Sequence, residues 1–219
     1  MFIKRAITAI ILFALFIFIF FYLPPIAFSV AAVAIIGIIL ATEWPRLFNP
    51  SDVKFYLVGF LYLIIPTATL IFLNHTPSAR ELLFMGLLAA IAFDTCAYIV
   101  GSLWGKRTIA PSISPKKTVE GFAAGYYGCT LALVMYKVFC GTFYSYVFIF
   151  FFAPFIGCAA LYGDLFESYL KRRAGIKDTG SILPGHGGLL DRVDSLLFVA
   201  MMVLMIWVTQ EILIELGWW

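Results

Sequence analysis

Residues Ser168 to Asp194 read SYLKRRAGIKDTGSILPGHGGLLDRVD and form the densest polar segment of an otherwise apolar chain. The segment combines cations, carboxylates and a glycine-rich turn, and long apolar runs flank it on both sides. A loop that only joins two membrane helices needs a few turn residues and one or two basic anchors. This richer combination indicates a phosphate ligand that is held partly by metal ions.

The apolar flanks of this segment predict the fold class. Of the 219 residues, 63% are hydrophobic and 12% are charged, whereas a soluble domain carries about 25% charged residues. Several apolar runs reach the roughly 20 residues that a helix needs to cross a bilayer. We therefore expect an all-α, polytopic membrane protein in which residues 1–219 form a single integral membrane domain.

The apolar runs predict about seven transmembrane helices. Their approximate bounds are 6–23, 26–42, 55–73, 82–104, 121–140, 146–163 and 195–216. A basic start followed by an apolar run also describes a signal peptide. However, no small-x-small cleavage site follows, and the run is long for a signal peptide. We therefore expect the first two spans to be retained as a helical hairpin.

The distribution of basic residues predicts the orientation in the membrane. If the N-terminus is cytoplasmic, the loops after spans two, four and six also face the cytoplasm. These segments hold 13 of the 15 Lys and Arg residues, and only Arg80 and Lys137 lie on the other side. The two richest polar loops then share one face of the membrane, where a cytosolic nucleotide can reach both.

Carboxylates stand at both ends of the loop after span six. Asp164, Glu167 and Ser168 recur at three- and four-residue spacing, so they share one face if span six stays helical beyond the lipid. Asp191 and Asp194 are three residues apart at the start of span seven, and helix capping is an alternative role for Asp194. We predict that Asp164 and Asp191 bind a hard cation, because Mg²⁺ typically takes one or two carboxylates together with phosphates and water.

The other polar residues of this loop each have two interpretations. Gly187 and Gly188 allow close backbone approach and positive φ, and beside them we interpret His186 as functional rather than structural. The basic residues are either phosphate ligands or anchors that contact anionic lipid headgroups. They are Lys171, Arg172, Arg173, Lys177 and Arg192.

This loop resembles the signature of the phosphatidate cytidylyltransferases, which are also called CDP-diacylglycerol synthases. In that signature a Ser is followed by Lys-Arg, Lys-Asp, a small residue, an apolar residue with Pro, His-Gly-Gly and Asp-Arg-x-Asp. The matching residues are Ser168, Lys171, Arg172, Lys177, Asp178, Gly180, Leu183, Pro184, His186, Gly187, Gly188, Asp191, Arg192 and Asp194. A pattern with so many fixed polar positions is very specific.

The loop after span four resembles the second block of the same family, in which Ser-Pro-Lys-Lys-Thr-x-Glu-Gly follows an Asp-containing helix. Here the motif begins at Ser114, and the aspartate is Asp94. An ionisable residue inside a membrane span is by itself a functional hypothesis, whereas Lys116 and Lys117 could form a simple basic turn. The two blocks place the cytidylyltransferase motifs in residues 94–195. The resemblance weakens toward the N-terminus, where many family members have additional spans.

The resemblance implies an enzyme that transfers CMP from CTP to phosphatidic acid, giving CDP-diacylglycerol and pyrophosphate in phospholipid biosynthesis. It implies Mg²⁺ at Asp164 and Asp191, with K⁺ as a candidate second ion. Catalytic roles fall to these two residues and to Ser168 and His186. The substrate-binding candidates are Asp94, Lys116, Lys117, Lys171, Arg172, Lys177 and Arg192.

We expect an integral protein of the bacterial inner membrane, and the distribution of basic residues places its active site on the cytoplasmic face. The lipid bilayer is then a partner, a homodimer is a candidate assembly, and no nucleic acid is expected. Two alternatives remain open. One is another CTP-dependent lipid-phosphate enzyme, such as a polyprenol kinase or an ether-lipid cytidylyltransferase. The other is a transporter with Asp94 and Asp164 as coupling residues, although the chain lacks the internal repeat expected of one.

Overall fold

The computed structural model describes the backbone of residues 2–182 and 187–217, and within these ranges the side chains from residue 10 onward. His186 lies outside the described residues. The elements in chain order are α1 (Phe2–Tyr22), α2 (Pro25–Thr42), α3 (Trp44–Leu47), α4 (Val53–Gly59), a π-helical turn (Phe60–Ile64), α5 (Ile65–His75), α6 (Pro77–Trp104), β1 (Thr108–Ala110), β2 (Ser114–Thr118), α7 (Val119–Cys140), α8 (Tyr146–Arg173) and α9 (Leu190–Glu215).

Within the described residues, six helical segments are long and apolar enough to cross a membrane. They are Pro25–Leu47, Val53–His75, Pro77–Trp104, Val119–Cys140, Tyr146–Arg173 and Leu190–Glu215. The apolar stretch Ile10–Tyr22 is shorter. The predicted all-α polytopic class is confirmed, whereas the count of seven spans and the cytoplasmic N-terminus stay predictions.

The polar segment between α6 and α7 contains a short antiparallel hairpin, which we had predicted only as a loop. Thr108 pairs with Thr118, and Ala110 pairs with Ser114. The carboxylate of Glu120, in the first turn of α7, accepts hydrogen bonds from the backbone N–H of Lys106 at 3.0 Å and that of the next residue at 3.2 Å. The two ends of the hairpin are therefore tied together, and its second strand carries the predicted lysine pair.

The described chain divides into two compact units. The first unit comprises Met1–Arg80 and Leu170–Val193, and the second comprises Glu81–Tyr169 and Asp194–Trp219. The first unit thus contains the loop between α8 and α9, here called the glycine-rich loop. The second unit contains the hairpin and most of α6 to α9. This division does not test the prediction of a single membrane domain.

The first unit is organised around a fully buried indole. Trp44 donates from its Nε1 to the backbone carbonyl of Phe55 at 3.0 Å, and its ring packs on Phe48 with centroids 4.9 Å apart. Helices α2 and α5 are joined by a hydrogen bond from the Asn74 amide to the carbonyl of Pro25 at 2.8 Å. The contacts of Trp44 thus bury the first part of the segment between α2 and α4, whereas residues 49–52 of that segment are exposed.

The second unit is packed through small residues that let its helices approach closely, as is common in membranes. A Cβ at Gly125 on α7 or at Gly157 on α8 would lie 2.7 Å or 2.9 Å from the buried ring of Phe93 on α6. A Cβ at Gly163 on α8 would lie 2.7 Å from the backbone oxygen of Asp194 on α9. The backbones of α8 and α9 are therefore nearly in contact at that level.

Candidate active site

Three carboxylates of the second unit, here called the acidic group, lie where α8 meets α9. One oxygen each from Asp164, Glu167 and Asp194 lies within 4.8 Å of the others. Glu167 and Asp194 are buried, and Asp164 is partly exposed. The three-residue spacing on α8 puts two of them on one helix face, and the close approach at Gly163 brings in the third from α9. This set of hard oxygen donors fits Mg²⁺.

A lysine from the hairpin faces the acidic group. Lys117 forms an ion pair with Asp164. Burial alone lowers the pKa of Lys117, but the carboxylates of Asp164, Asp94 and Asp194 outweigh burial and raise it above its ordinary value. Lys117 therefore stays a cation at neutral pH, and it offsets part of the negative charge of the acidic group.

Two hydroxyl groups orient predicted site residues in the second unit. The Ser168 hydroxyl donates to Oδ1 of Asp164 at 3.3 Å, one helical turn away. The Ser195 hydroxyl on α9 donates to Oδ2 of Asp94 on α6 at 2.9 Å. The structure thus brings Asp164, Ser168 and Lys117 together, and it links Asp94 to the residue that follows Asp194.

In the first unit, Asp191 at the start of α9 is surrounded by donors. Its Oδ1 lies 2.7 Å from the Nζ of Lys171, with the two side chains only 7% and 12% exposed. Its Oδ2 accepts from the backbone N–H of Gly188 at 2.8 Å and that of Thr179 at 3.2 Å. Gly187 has φ +84°, and a Cβ there would lie 2.7 Å from the same oxygen. The Asp191 carboxylate thus holds the glycine turn in place. Its negative charge is neutralised by Lys171, which is one of the predicted phosphate ligands.

The remaining predicted phosphate ligands lie at the surface of their units. The exposed side chains are those of Lys116, Arg172, Lys177 and Arg192. Arg172 also donates to the carbonyl of Ile176 at 3.4 Å, within its own loop. Surface cations suit both a phosphate ligand and a lipid headgroup, so exposure alone does not separate these two predicted roles.

The predicted metal pair falls in different units, with Asp164 in the second and Asp191 in the first. Their pairing stays a prediction. Asp194 is the fifth residue of α9 and lies beyond its first turn, so helix capping does not account for it. Sequence reasoning assigned no metal role to Asp194 or Glu167, although the spacing of Glu167 from Asp164 was a usable signal.

Glu43 and Thr179 are two further polar residues that sequence reasoning missed. Both side chains are fully buried, and the Thr179 hydroxyl lies 2.9 Å from Oε2 of Glu43. In the sequence, Glu43 only begins the polar segment between the second and third apolar runs. The position of Glu43 directly after the apolar helix α2 could have indicated a structural role. An acidic residue beside a long apolar run needs polar partners when it is buried.

Comparisons with known proteins point to one family. A model described as the cytidylyltransferase family matches residues 50–209, a range that includes both polar blocks. The phosphatidate cytidylyltransferase of Rickettsia typhi is 32% identical over 202 residues, which cover 90% of this chain and 87% of that protein. The phosphatidate cytidylyltransferase of Thermotoga maritima is 43% identical over 119 residues, covering 52% of this chain and 44% of that protein. The one from Bacillus subtilis is 42% identical over 117 residues, covering 53% and 44%.

Proposed function

Because this chain belongs to the cytidylyltransferase family, we propose that it transfers the CMP group of CTP to phosphatidic acid. The products are CDP-diacylglycerol, for phospholipid biosynthesis, and pyrophosphate. A phosphate oxygen of phosphatidic acid attacks the α-phosphorus of CTP, and the bond from that phosphorus to the oxygen shared with the β-phosphorus breaks. The attacking group is already an anion, so the reaction needs no protein nucleophile. The main obstacle is the approach of two polyanions.

The acidic group, with Lys117 beside it, is the observation that supports this proposal most directly. Asp164, Glu167 and Asp194 offer oxygen donors within 4.8 Å of one another, and these residues would hold Mg²⁺. When bound, Mg²⁺ neutralises phosphate charge and stabilises the charge that develops on the leaving pyrophosphate. The predicted metal role of Asp191 and the second ion, K⁺, belong to the same proposal.

The protein's own cations and hydroxyls carry the rest of the work. Lys117 is held charged by its neighbouring carboxylates, so it can bind a phosphate oxygen throughout the neutral pH range. Ser168 positions Asp164 through its hydrogen bond. The exposed cations of both polar loops, together with Lys171, bind the phosphates of CTP and of the lipid, and this lowers the electrostatic barrier to their meeting.

The chain is an integral membrane protein. We further propose that it lies in the bacterial inner membrane and that both polar loops are on the cytoplasmic side. The bias of Lys and Arg toward these loops supports this orientation. The acyl tails of the substrate stay in the bilayer, so only the headgroup has to reach the polar residues. A homodimer is a separate proposal, which the mass of the detergent-solubilised protein tests.

The proposal is tested with purified protein, CTP and phosphatidic acid, with and without Mg²⁺. We expect a CDP-lipid and one pyrophosphate per lipid, only when Mg²⁺ is present. Asp164→Asn should form no product, while Glu215→Gln, which alters an exposed carboxylate at the far end of α9, should match the wild type. A wild-type protein that forms no CDP-lipid, or an Asp164→Asn variant that matches it, contradicts the proposal.

A further inference from the structure

Glu43 is a fully buried carboxylate whose two oxygens are both occupied by donors from the glycine-rich loop. Its Oε1 accepts from the backbone N–H of Leu189 at 2.7 Å. Its Oε2 accepts from the backbone N–H of Leu190 at 2.9 Å and lies 2.9 Å from the Thr179 hydroxyl. The partners are up to 147 residues away in sequence, and all of them belong to the first unit.

These contacts make Glu43 a cap for α9 that comes from a distant part of the chain. The first N–H groups of a helix have no carbonyl partner within the helix, and a carboxylate at that end is favoured by the helix dipole. Leu189 and Leu190 stand directly at this end. Glu43 therefore fixes where α9 begins, and with it the position of Asp191 in the first turn.

Thr179 carries the connection from Glu43 to Asp191. Its hydroxyl oxygen lies 3.1 Å from Oδ2 of Asp191 as well as 2.9 Å from Glu43. Because a hydroxyl has one proton, it donates to one of the two carboxylates at a time. Arg46 donates to the carbonyl of Thr179 at 3.3 Å, which holds the threonine from its other side. Since Asp191 pairs with Lys171, a continuous polar chain runs from Glu43 to that lysine.

Two glycines of the loop lie directly against this carboxylate. A Cβ at Gly180 would lie 2.8 Å from Oε1 of Glu43, and one at Gly188 would lie 2.6 Å from Oε2. Two glycines of the loop thus leave space for the carboxylate itself. The donors around Glu43 require a hydrogen-bond acceptor at each of the two positions that its oxygens occupy. A glutamine has one acceptor group and one donor group, so it cannot accept at both positions in either orientation of its amide.

We propose that Glu43 is a positioning residue for cytidylyl transfer, acting through Thr179 and the start of α9 to orient Asp191 and the glycine turn. The inference rests on the proposed function, since it assigns Asp191 a part in that reaction. Glu43 is fully buried, so its effect on the reaction passes through its neighbours. It lies outside the family signature, and its role follows from its contacts alone.

The test compares Glu43→Gln with Glu215→Gln, a matched change at an exposed glutamate. For each folded, monodisperse preparation, kcat and KM for CTP are measured, and amide hydrogen exchange is followed over residues 187–193. We expect kcat/KM to fall about 10–100-fold in Glu43→Gln, as for other partners that orient a functional carboxylate. Exchange at Leu189 and Leu190 should also be faster. Wild-type kcat/KM per folded protein in Glu43→Gln overturns the inference.

Thr179 variants separate positioning from folding. Thr179→Ser keeps the hydroxyl and should restore most of the activity that Thr179→Val loses. If Glu43 and Thr179 act through the same contacts, the double variant Glu43→Gln/Thr179→Val should have nearly the same kcat/KM as Thr179→Val alone. If the two single losses in kcat/KM multiply in the double variant, the residues act independently and the inference is overturned. If Glu43→Gln does not fold, the inference is tested by comparing Thr179→Ser with Thr179→Val. Equal activity of these two variants contradicts the inference. A wild type without transferase activity removes the proposed function, whereas an active wild type with an unaffected Glu43→Gln removes only this inference.

Discussion

Replacing Gly163 by alanine should force α8 and α9 apart beside the acidic group. The added Cβ would lie 2.7 Å from the backbone oxygen of Asp194 and 2.9 Å from the Cα of Ser195. Ordinary contacts between non-bonded heavy atoms are about 3.5–4.0 Å, and both neighbours are backbone atoms that cannot turn away. The two helices therefore have to separate by roughly 0.6–1 Å to reach such contacts.

The expected cost has a stability part and a functional part. Overpacking of this kind costs about 1–3 kcal/mol, and 1 kcal/mol lowers Tm by about 2–4 °C in a chain of this size. A displacement near 1 Å at a reacting centre can lower the rate about 10²-fold. Because Asp164 follows Gly163 directly and Asp194 lies across from it, the Mg²⁺ concentration for half-maximal activity should rise as well.

The assay measures Tm by thermal unfolding in detergent and activity across a Mg²⁺ titration. Gly37→Ala is the control, because nothing lies within 4 Å of its added Cβ. In a helix this change is neutral or stabilises by about 0.5–1 kcal/mol. If Gly163→Ala matches Gly37→Ala in both Tm and Mg²⁺ dependence, the close approach of α8 and α9 does not shape the acidic group as described.

Three other outcomes follow from the structure. Asp191→Asn should lower activity more than about 10-fold, since the amide places a donor against either Lys171 or the glycine turn; near-normal activity at limiting Mg²⁺ contradicts this. Arg192→Lys keeps the positive charge but loses the fork geometry of the guanidinium group. Turnover should therefore fall about 10²-fold in both neutral and anionic micelles. Wild-type turnover in this variant would instead favour a role for Arg192 as a membrane anchor. Cysteines introduced at Ser112 and Ser181, in a background without native cysteines, should resist an impermeant label applied outside intact cells; labelling of either position refutes the orientation.

The helices were predictable because their apolar runs are long and separated by polar segments or prolines. Helix α8 runs without interruption from Tyr146 to Arg173, which meets the condition under which Asp164, Glu167 and Ser168 share one helix face. The hairpin at residues 108–118 was missed because its strands are short and mostly polar. The π-helical turn before Pro66 was also missed, because it depends on how the proline, which lacks an N–H, is accommodated locally.

The candidate site was only partly visible in the sequence. Helical spacing linked Glu167 to Asp164, but the approach of Asp194 depends on how α8 packs against α9, and spacing within one segment cannot show this. The role of Glu43 depends on contacts with residues more than 130 positions away. Long-range hydrogen bonds to backbone N–H groups carry no side-chain pattern, so no motif marked this residue.

The fate of the phosphorus atoms of CTP tests the central claim most directly. Two parallel reactions with phosphatidic acid use CTP labelled either at the α-phosphorus or at the γ-phosphorus. If the chain transfers CMP, the α-label appears in the lipid product and the γ-label appears in pyrophosphate, both only with Mg²⁺. A γ-label in the lipid, with release of CDP, would show a kinase and contradict the account.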